Sequence, residues 1–282
     1  MTFKPETILT VGTSNTGKTA MLVRVALANP NKPCWVFDNE RKVARVADLY
    51  GGVPANMTVL ESYDMQAMFD AMKDVVMPQA KAQPGGIVMF DMIEKVWEQS
   101  QEHFASAVNG STLAEQMLSL RKENQNALNG GFEGFQGDWK TMKGWHNYVV
   151  EGALYRLPVH VFATAGAAAL IPPVDDHGKP NPRGDDPAIY AMFREIGFKP
   201  QGEKRNVFRF NTVLVAAAID TVIKTKAGTT KRKYLLGCVK DVRRQPALFP
   251  LTEIPLETVG DLELADPWLE FCSRAGVGIE LP

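Results

Sequence analysis

The stretch GTSNTGKT at 12–19 places two glycines, several hydroxyl side chains and one lysine between two apolar runs, TILTV at 7–11 and AMLVRVALA at 20–28. That order fits GxxxxGK[ST], and a strand before it with a helix after it is the context in which the pattern has chemical meaning. Gly12 and Gly17 let the backbone curl, so that the N–H groups of Thr13, Ser14, Asn15 and Thr16 turn inward toward phosphate oxygens. The start of the following helix adds its positive end. Lys18 would reach the outer phosphates, and the Thr19 hydroxyl would ligate Mg2+. The expected ligand of residues 12–19 is therefore a nucleoside triphosphate with Mg2+, with ATP as the leading candidate.

Such a loop requires a second metal anchor at the end of a neighbouring strand. The run IVMFD at 87–91 supplies Asp91, whose carboxylate would hold Mg2+ through water. Asp38 ends a similar run, CWVFD at 34–38, and competes for the role. Met92 follows Asp91, where DExx-type motors place a glutamate, and the nearest acid is Glu94 in a predicted helix. Other chemistries find little support. Cys34, Cys238 and Cys272 form no metal-ligand spacing and read as reduced, buried thiols. His103, His146, His160 and His177 share no metal spacing, and no Ser/His/Asp arrangement stands out.

The elements that must position these residues follow from apolar patterning. Strands are predicted at 7–11, 34–38, 57–61, 87–91 and 159–164. Helices are predicted at 18–28, 41–50, 65–77, 93–108, 113–128 and 139–155. Continuous apolar strands alternating with helices predict a parallel sheet covered on both faces. The Gly-rich stretch 129–138, with Phe132 and Phe135, reads as a loop, as does PPVDDHGKPNPRGDDP at 172–187. Later strands at 207–219 and 220–226, then a hairpin into 232–241, would extend the sheet in antiparallel fashion. A short helix is predicted near 267–275. We expect one domain over 1–282, with a core at 1–166, a mobile loop at 167–200, late strands and hairpin at 205–245 and an acidic segment at 246–282.

Composition bounds the setting. The hydrophobic fraction of 45% allows a substantial core. There is neither a signal-peptide pattern nor an apolar run of the ~18 residues that spans a bilayer, so a soluble, cytoplasmic protein with no membrane partner is expected. Net charge is −1, yet residues 199–244 hold twelve Lys/Arg against three acids, and residues 245–282 hold seven acids against one Arg. A basic block suits phosphates, and an acidic tail suits a neighbour's basic block. The hairpin KTKAGTTKRKY at 224–234 concentrates Lys224, Lys226, Lys231, Arg232 and Lys233 beside Tyr234, a pattern suited to single-stranded nucleic acid.

GTSNTGKT together with FDNE at 37–40 resembles the RecA superfamily. GDWKTMKGWHNYVVEGALYRLPVHVFATAG at 137–166, FKPQGEKRNVFRFNTVL at 198–214 and VKDVRRQP at 239–246 are similar to phage-encoded RecA-like ATPases of the annealing and recombination type. The resemblance implies a RecA-like P-loop fold and ATP hydrolysis on DNA, single-stranded in the first instance, by a ring or filament with ATP at subunit boundaries. It makes Glu40 the candidate general base; the alternative reading is a helix-start acid after Asn39. It also makes Lys240 and Arg243, with Arg244 as alternate, candidates to reach a neighbour's nucleotide. A polar sensor, Gln or His, is expected after the fifth strand, where this chain has Ala165 and Gly166 behind Thr164. The alternatives are a packaging or helicase motor, a P-loop kinase, and a nucleotide-dependent assembly protein.

Overall fold

The computed structural model describes residues 4–123, 136–175, 177–222, 230–244, 248–259 and 262–281. In chain order its elements begin with β1 (Thr7–Gly12), α1 (Lys18–Ala28), β2 (Cys34–Asp38), α2 (Val43–Asp48) and β3 (Met57–Glu61). A helical run follows: α3 (Met65–Asp70), a π-helical stretch (Ala71–Val76) and α4 (Met77–Ala82). Next come β4 (Ile87–Asp91), α5 (Ile93–Asn109), α6 (Leu113–Glu123), α7 (Gln136–Glu151), a π-helical turn (Gly152–Arg156) and β5 (His160–Ala165). The remainder is β6 (Ala167–Ala169), α8 (Pro187–Phe193), β7 (Phe198–Pro200), α9 (Asn206–Arg209), β8 (Thr212–Val222), β9 (Thr230–Asp241), β10 (Phe249–Glu253), β11 (Leu256–Val259), β12 (Leu262–Ala265) and α10 (Pro267–Ala275).

The apolar runs are strands because they are covered on both faces. β1, β2, β4 and β5 are buried along their whole length, whereas β3, at one edge of the sheet, is buried at Met57 and open at Thr58 and Glu61. The main sheet runs β10-β9-β8-β1-β5-β4-β2-β3. Six strands, in the order β8-β1-β5-β4-β2-β3, are parallel; β9 extends the sheet antiparallel to β8, and β10 pairs antiparallel with β9. The expected fold class, a mainly parallel sheet flanked by helices and extended by antiparallel late strands, is the one observed. The register places Asp38 beside Asp91 and Thr10 beside Thr164, so the ends of β1, β5, β4 and β2 meet along one rim.

Alternating side chains feed two apolar layers. Leu9, Val11, Phe37, Phe90 and Val161 face Met65, Met68, Met72, Val96 and Val149. Ile8, Val36, Met89 and Phe162 face Met21, Leu22, Val25, Trp268 and Phe271 on the other side. His160 is fully buried and accepts a hydrogen bond from the Glu6 N–H at 3.0 Å, the satisfied core role its strand position suggested.

Several expectations shift. Residues 207–211 do not begin a strand. Glu203 accepts from the backbone of Arg205 and Asn206, and Arg209 is held by Asn206 and Glu151, which turns the chain through α9 before β8 starts. β8 then runs through position 219 without a break and pairs with β9 from Thr212↔Asp241 to Val222↔Thr230. The stretch 167–200, read as a loop, contains β6, α8 and β7. The Gly-rich stretch with Phe132 and Phe135 lies outside the described residues up to 135, and α7 starts at Gln136. Among the described residues no helix is long and apolar enough to cross a membrane.

The acidic segment is built into the body of the chain. Asp266 caps α10 through the Leu269 N–H and pairs with Arg24 on α1, while Glu253 pairs with Lys233 and Glu270 with Arg274. Trp268 is 3% exposed, meets Phe162 edge-on at 5.4 Å, and donates its Nε1–H to the Ile279 carbonyl at 3.0 Å. Trp268→Ala is expected to lower unfolding free energy by about 3–5 kcal/mol in a denaturant titration.

Candidate active site

Gly12 ends β1 under a steric demand. A Cβ there would lie 2.2 Å from the Ala216 carbonyl oxygen on β8 and 2.8 Å from Thr16 Oγ1. The chain then turns through Asn15 (φ 59°) and Gly17 (φ 83°), left-handed conformations that free the backbone N–H groups to curl around one centre. Thr16 Oγ1 closes the turn onto the Thr13 carbonyl at 3.0 Å, and α1 starts at once with Lys18.

Lys18 is 8% exposed and donates to the Gly12 and Thr13 carbonyls at 2.9 and 2.6 Å. Burial pulls its pKa below the ordinary lysine value, and Asp91, Glu94 and Glu40 oppose that shift. The ammonium therefore rests on loop carbonyls within an acidic surround, and the phosphates of a ligand would replace those acceptors. Thr19 Oγ1 donates to Asp91 Oδ2 at 2.8 Å. Thr164, on the strand between β1 and β4, donates to the other oxygen, Oδ1. Asp91 is 1% exposed; burial raises its pKa while both threonine hydroxyls hold it down. Here the chain leaves β4 through a cis peptide between Asp91 and Met92.

The competing carboxylate is used otherwise. Asp38 accepts from the Glu40, Lys42 and Val43 N–H groups at 3.2, 3.2 and 3.0 Å, which fixes the turn into α2. That turn carries Glu40, ion-paired with Lys42 at 2.6 Å, to the wall of a cavity of about 650 Å3. The same cavity is lined by all residues from Gly12 to Thr19, by Met92, Gly166, Ala167 and Gln201, and by Val46, Leu49, Tyr50, Tyr234 and Ala265. Among the described residues no group of three or more His, Cys, Asp or Glu is placed to hold a metal ion. A hydroxyl and a carboxylate in contact at the foot of a phosphate-sized loop do fit Mg2+, which takes few protein ligands beside phosphate oxygens and water.

The chain matches no protein-family model. No curated protein matches it. Among solved structures it is similar to the RadB recombinase, with a TM-score of 0.42 and 10% identity over 90% of this chain and 89% of that one.

The structure does not bring Lys240 and Arg243 to the loop. β9 runs antiparallel to β8, so its last residues lie beside Thr212 and the start of β1, at the far end of the sheet from Gly12. Lys240 Nζ donates to the carbonyls of Val207, Phe208 and Phe210 and so caps the short α9. Arg243 donates to the Pro5 carbonyl and pairs with Glu6; Arg244 pairs with Glu6 and Asp241. Other members of the basic block are also engaged within the chain, Lys199 with Asp185 and Lys233 with Glu253. Arg232 lies in β9, as does Lys231, of which only the backbone is described; Lys224 and Lys226 lie outside the described residues.

Sequence reasoning passed over Glu94 and Gln201. Glu94 is 1% exposed, one oxygen accepting from the Gly166 N–H at 2.8 Å and the other, Oε2, buried with no hydrogen-bond partner. Burial pushes its pKa up to about 7 against an ordinary value of 4.5. Its place in the first turn of α5, three residues past Asp91, was a usable signal. Nothing local marks Gln201.

Two outcomes follow. Because folding raises the Glu94 pKa, its contribution to stability is fully present below about pH 4.5 and is lost as pH rises through about 7, a change of about 3 kcal/mol. Glu94→Gln should remove that part of the pH dependence, so melting temperatures measured between pH 4.5 and 8 should fall less steeply than in wild type. Lys240→Met should cost about 1–3 kcal/mol in a denaturant titration and leave turnover per folded molecule unchanged. Turnover lost with stability intact would support a role for Lys240 across a subunit boundary.

Proposed function

We propose that this chain is a Mg2+-dependent ATP-hydrolysing protein acting on DNA as an oligomer. The observation that carries the reading is the contact of Thr19 and Asp91 at the foot of a glycine-rich loop, with Lys18 buried beside them and Glu40 across one cavity. Lys18 and the loop N–H groups would hold the phosphates. Thr19 and Asp91 would hold Mg2+, which on binding neutralises charge on the outer phosphates. Glu40, released from Lys42 or sharing with it, would accept a proton from the attacking water. Asp38, its oxygens taken by backbone N–H groups, sets the turn that presents Glu40.

The apolar lining residues Val46, Leu49, Tyr50, Tyr234 and Ala265 would suit the flat face of a purine. DNA action and assembly rest on the RecA-like motif set and on the basic residues of the stretch 224–233; β8 and β9, which flank it, pair past the level of Gly12.

Phosphate release from Mg-ATP should be abolished by Lys18→Ala. Glu40→Gln should slow it by about 10²–10⁴-fold while nucleotide binding persists. Single-stranded DNA should raise turnover more than duplex does, increasingly so with protein concentration. Turnover indifferent to DNA would remove the DNA part of the reading.

A further inference from the structure

The turn between β2 and α2 sets a carboxylate and an ammonium against each other at the cavity wall. Asp38 takes the N–H groups of Glu40, Lys42 and Val43 and leaves out that of Arg41, where the backbone reverses at φ 56°. Among the described residues only Arg41 and Asn15 adopt a positive φ without being glycine, and Asn15 is in the phosphate loop. A side chain is rarely held in that region unless its surroundings impose it. Here the Arg41 guanidinium lies over the Tyr63 ring, 4.0 Å from its centroid, while Glu40 and Lys42 on either side line the cavity and meet each other at 2.6 Å.

That pair faces the phosphate loop. Burial is the main cause of the lowered Lys18 pKa; Lys42 adds to the shift and Glu40 opposes it. Both charges therefore act across the cavity on the lysine that would hold the outer phosphates. The pair is also easily parted. The Lys42 side chain is 53% exposed, and an ion pair so open to water is held by little. A terminal phosphate carries more charge than one carboxylate, spread over more oxygens, and would draw the ammonium away from Glu40. Lys240, Arg243 and Arg244, by contrast, are held at the far end of the sheet by carbonyls, Glu6 and Asp241.

We propose that Lys42 is the cation of this chain's own hydrolytic step: the terminal phosphate of a bound nucleoside triphosphate takes the Lys42 ammonium from Glu40, so that one contact neutralises the phosphate and frees the carboxylate. With the site empty, Glu40 is held against Lys42 and is silent as a base. With a triphosphate bound, a water oxygen forms its bond to the terminal phosphorus as the bond from that phosphorus to the bridging oxygen breaks. The electron pair of the broken bond leaves on the diphosphate, and one water proton passes to Glu40. Lys42 keeps its protons throughout and opposes the charge that builds on the transferred group. Each copy thereby holds a complete site for turnover without DNA, and assembly serves the response to DNA rather than the bond-breaking step. The proposal rests on the reading of Lys18 as phosphate ligand and Glu40 as base.

The test measures phosphate release from Mg-ATP by the full chain without DNA, with Mg-ADP binding followed by calorimetry. Wild-type turnover per chain is expected to stay constant as the protein is diluted. Lys42→Met should lower kcat by about 10²–10³-fold and keep the wild-type affinity for Mg-ADP, which also reports an intact fold. Lys42→Arg, which keeps the charge, should restore most of the rate. Mixing Lys42→Met chains with Lys18→Ala chains separates the two sources of the cation. Each site then lacks one residue of its own, and the mixture should stay as slow as Lys42→Met alone. Recovery in the mixture shows a cation donated by a neighbour and overturns the proposal, as does turnover per chain that vanishes on dilution. Lys42→Met at the wild-type rate removes the proposal alone, whereas Glu40→Gln at that rate removes the base reading and the proposal with it. A wild type that binds Mg-ADP but releases no phosphate without DNA overturns the proposal and leaves the nucleotide reading in place. A wild type that neither binds Mg-ADP nor turns over Mg-ATP overturns both.

Discussion

Asp91 accepts hydrogen bonds from Thr19 on one side and Thr164 on the other, and the geometry of the site depends on that pair of contacts. Thr19 belongs to the helix behind the phosphate loop, Asp91 to the end of β4 and Thr164 to β5 between them. A buried carboxylate without partners would be costly, so the three elements are held in one register by the need to satisfy it. The same arrangement brings the loop, the turn bearing Glu40 and the start of α5 to one rim of the sheet.

Features written in short stretches of chain were legible in the sequence. The loop at 12–19 is a local pattern, and β1, β2, β4 and β5 declare themselves as unbroken apolar runs because both their faces are covered. Features that depend on which distant segments meet were not. Gln201 reaches the site only because β7 returns to β6, and nothing in its neighbourhood announces that. Glu94 reads only as the nearest acid after Asp91 until Gly166 and Gly202 are seen packed over it. Lys240 and Arg243 look like free cations in VKDVRR, and the reversal of β9 carries them to the opposite end of the sheet, where carbonyls and Glu6 occupy them. Charge counting registers sign but not partner, and Lys199, Arg209, Lys233, Arg243 and Arg244 of the basic block meet acids of their own chain.

The late residues matter more to the site than their composition suggested. Asp266 ties to Arg24 on the helix that follows the phosphate loop, and Pro267 lies against Gly17, 3.5 Å from where a Cβ would sit. Tyr234 and Ala265 form part of the cavity wall. A segment that reads as an acidic tail is thus the outer support of the loop named first.

That arrangement has a consequence for how the protein is made. Residues 12–19 leave the ribosome before Tyr234 and Ala265, which line the same cavity. At ~5–20 residues per second, about 10–50 s of synthesis separate them. During that interval the cavity lacks part of its lining. Contacts so distant in sequence also close late in refolding, since the intervening chain must be ordered before they form. The lining of the cavity is thereby complete only in chains that have finished folding.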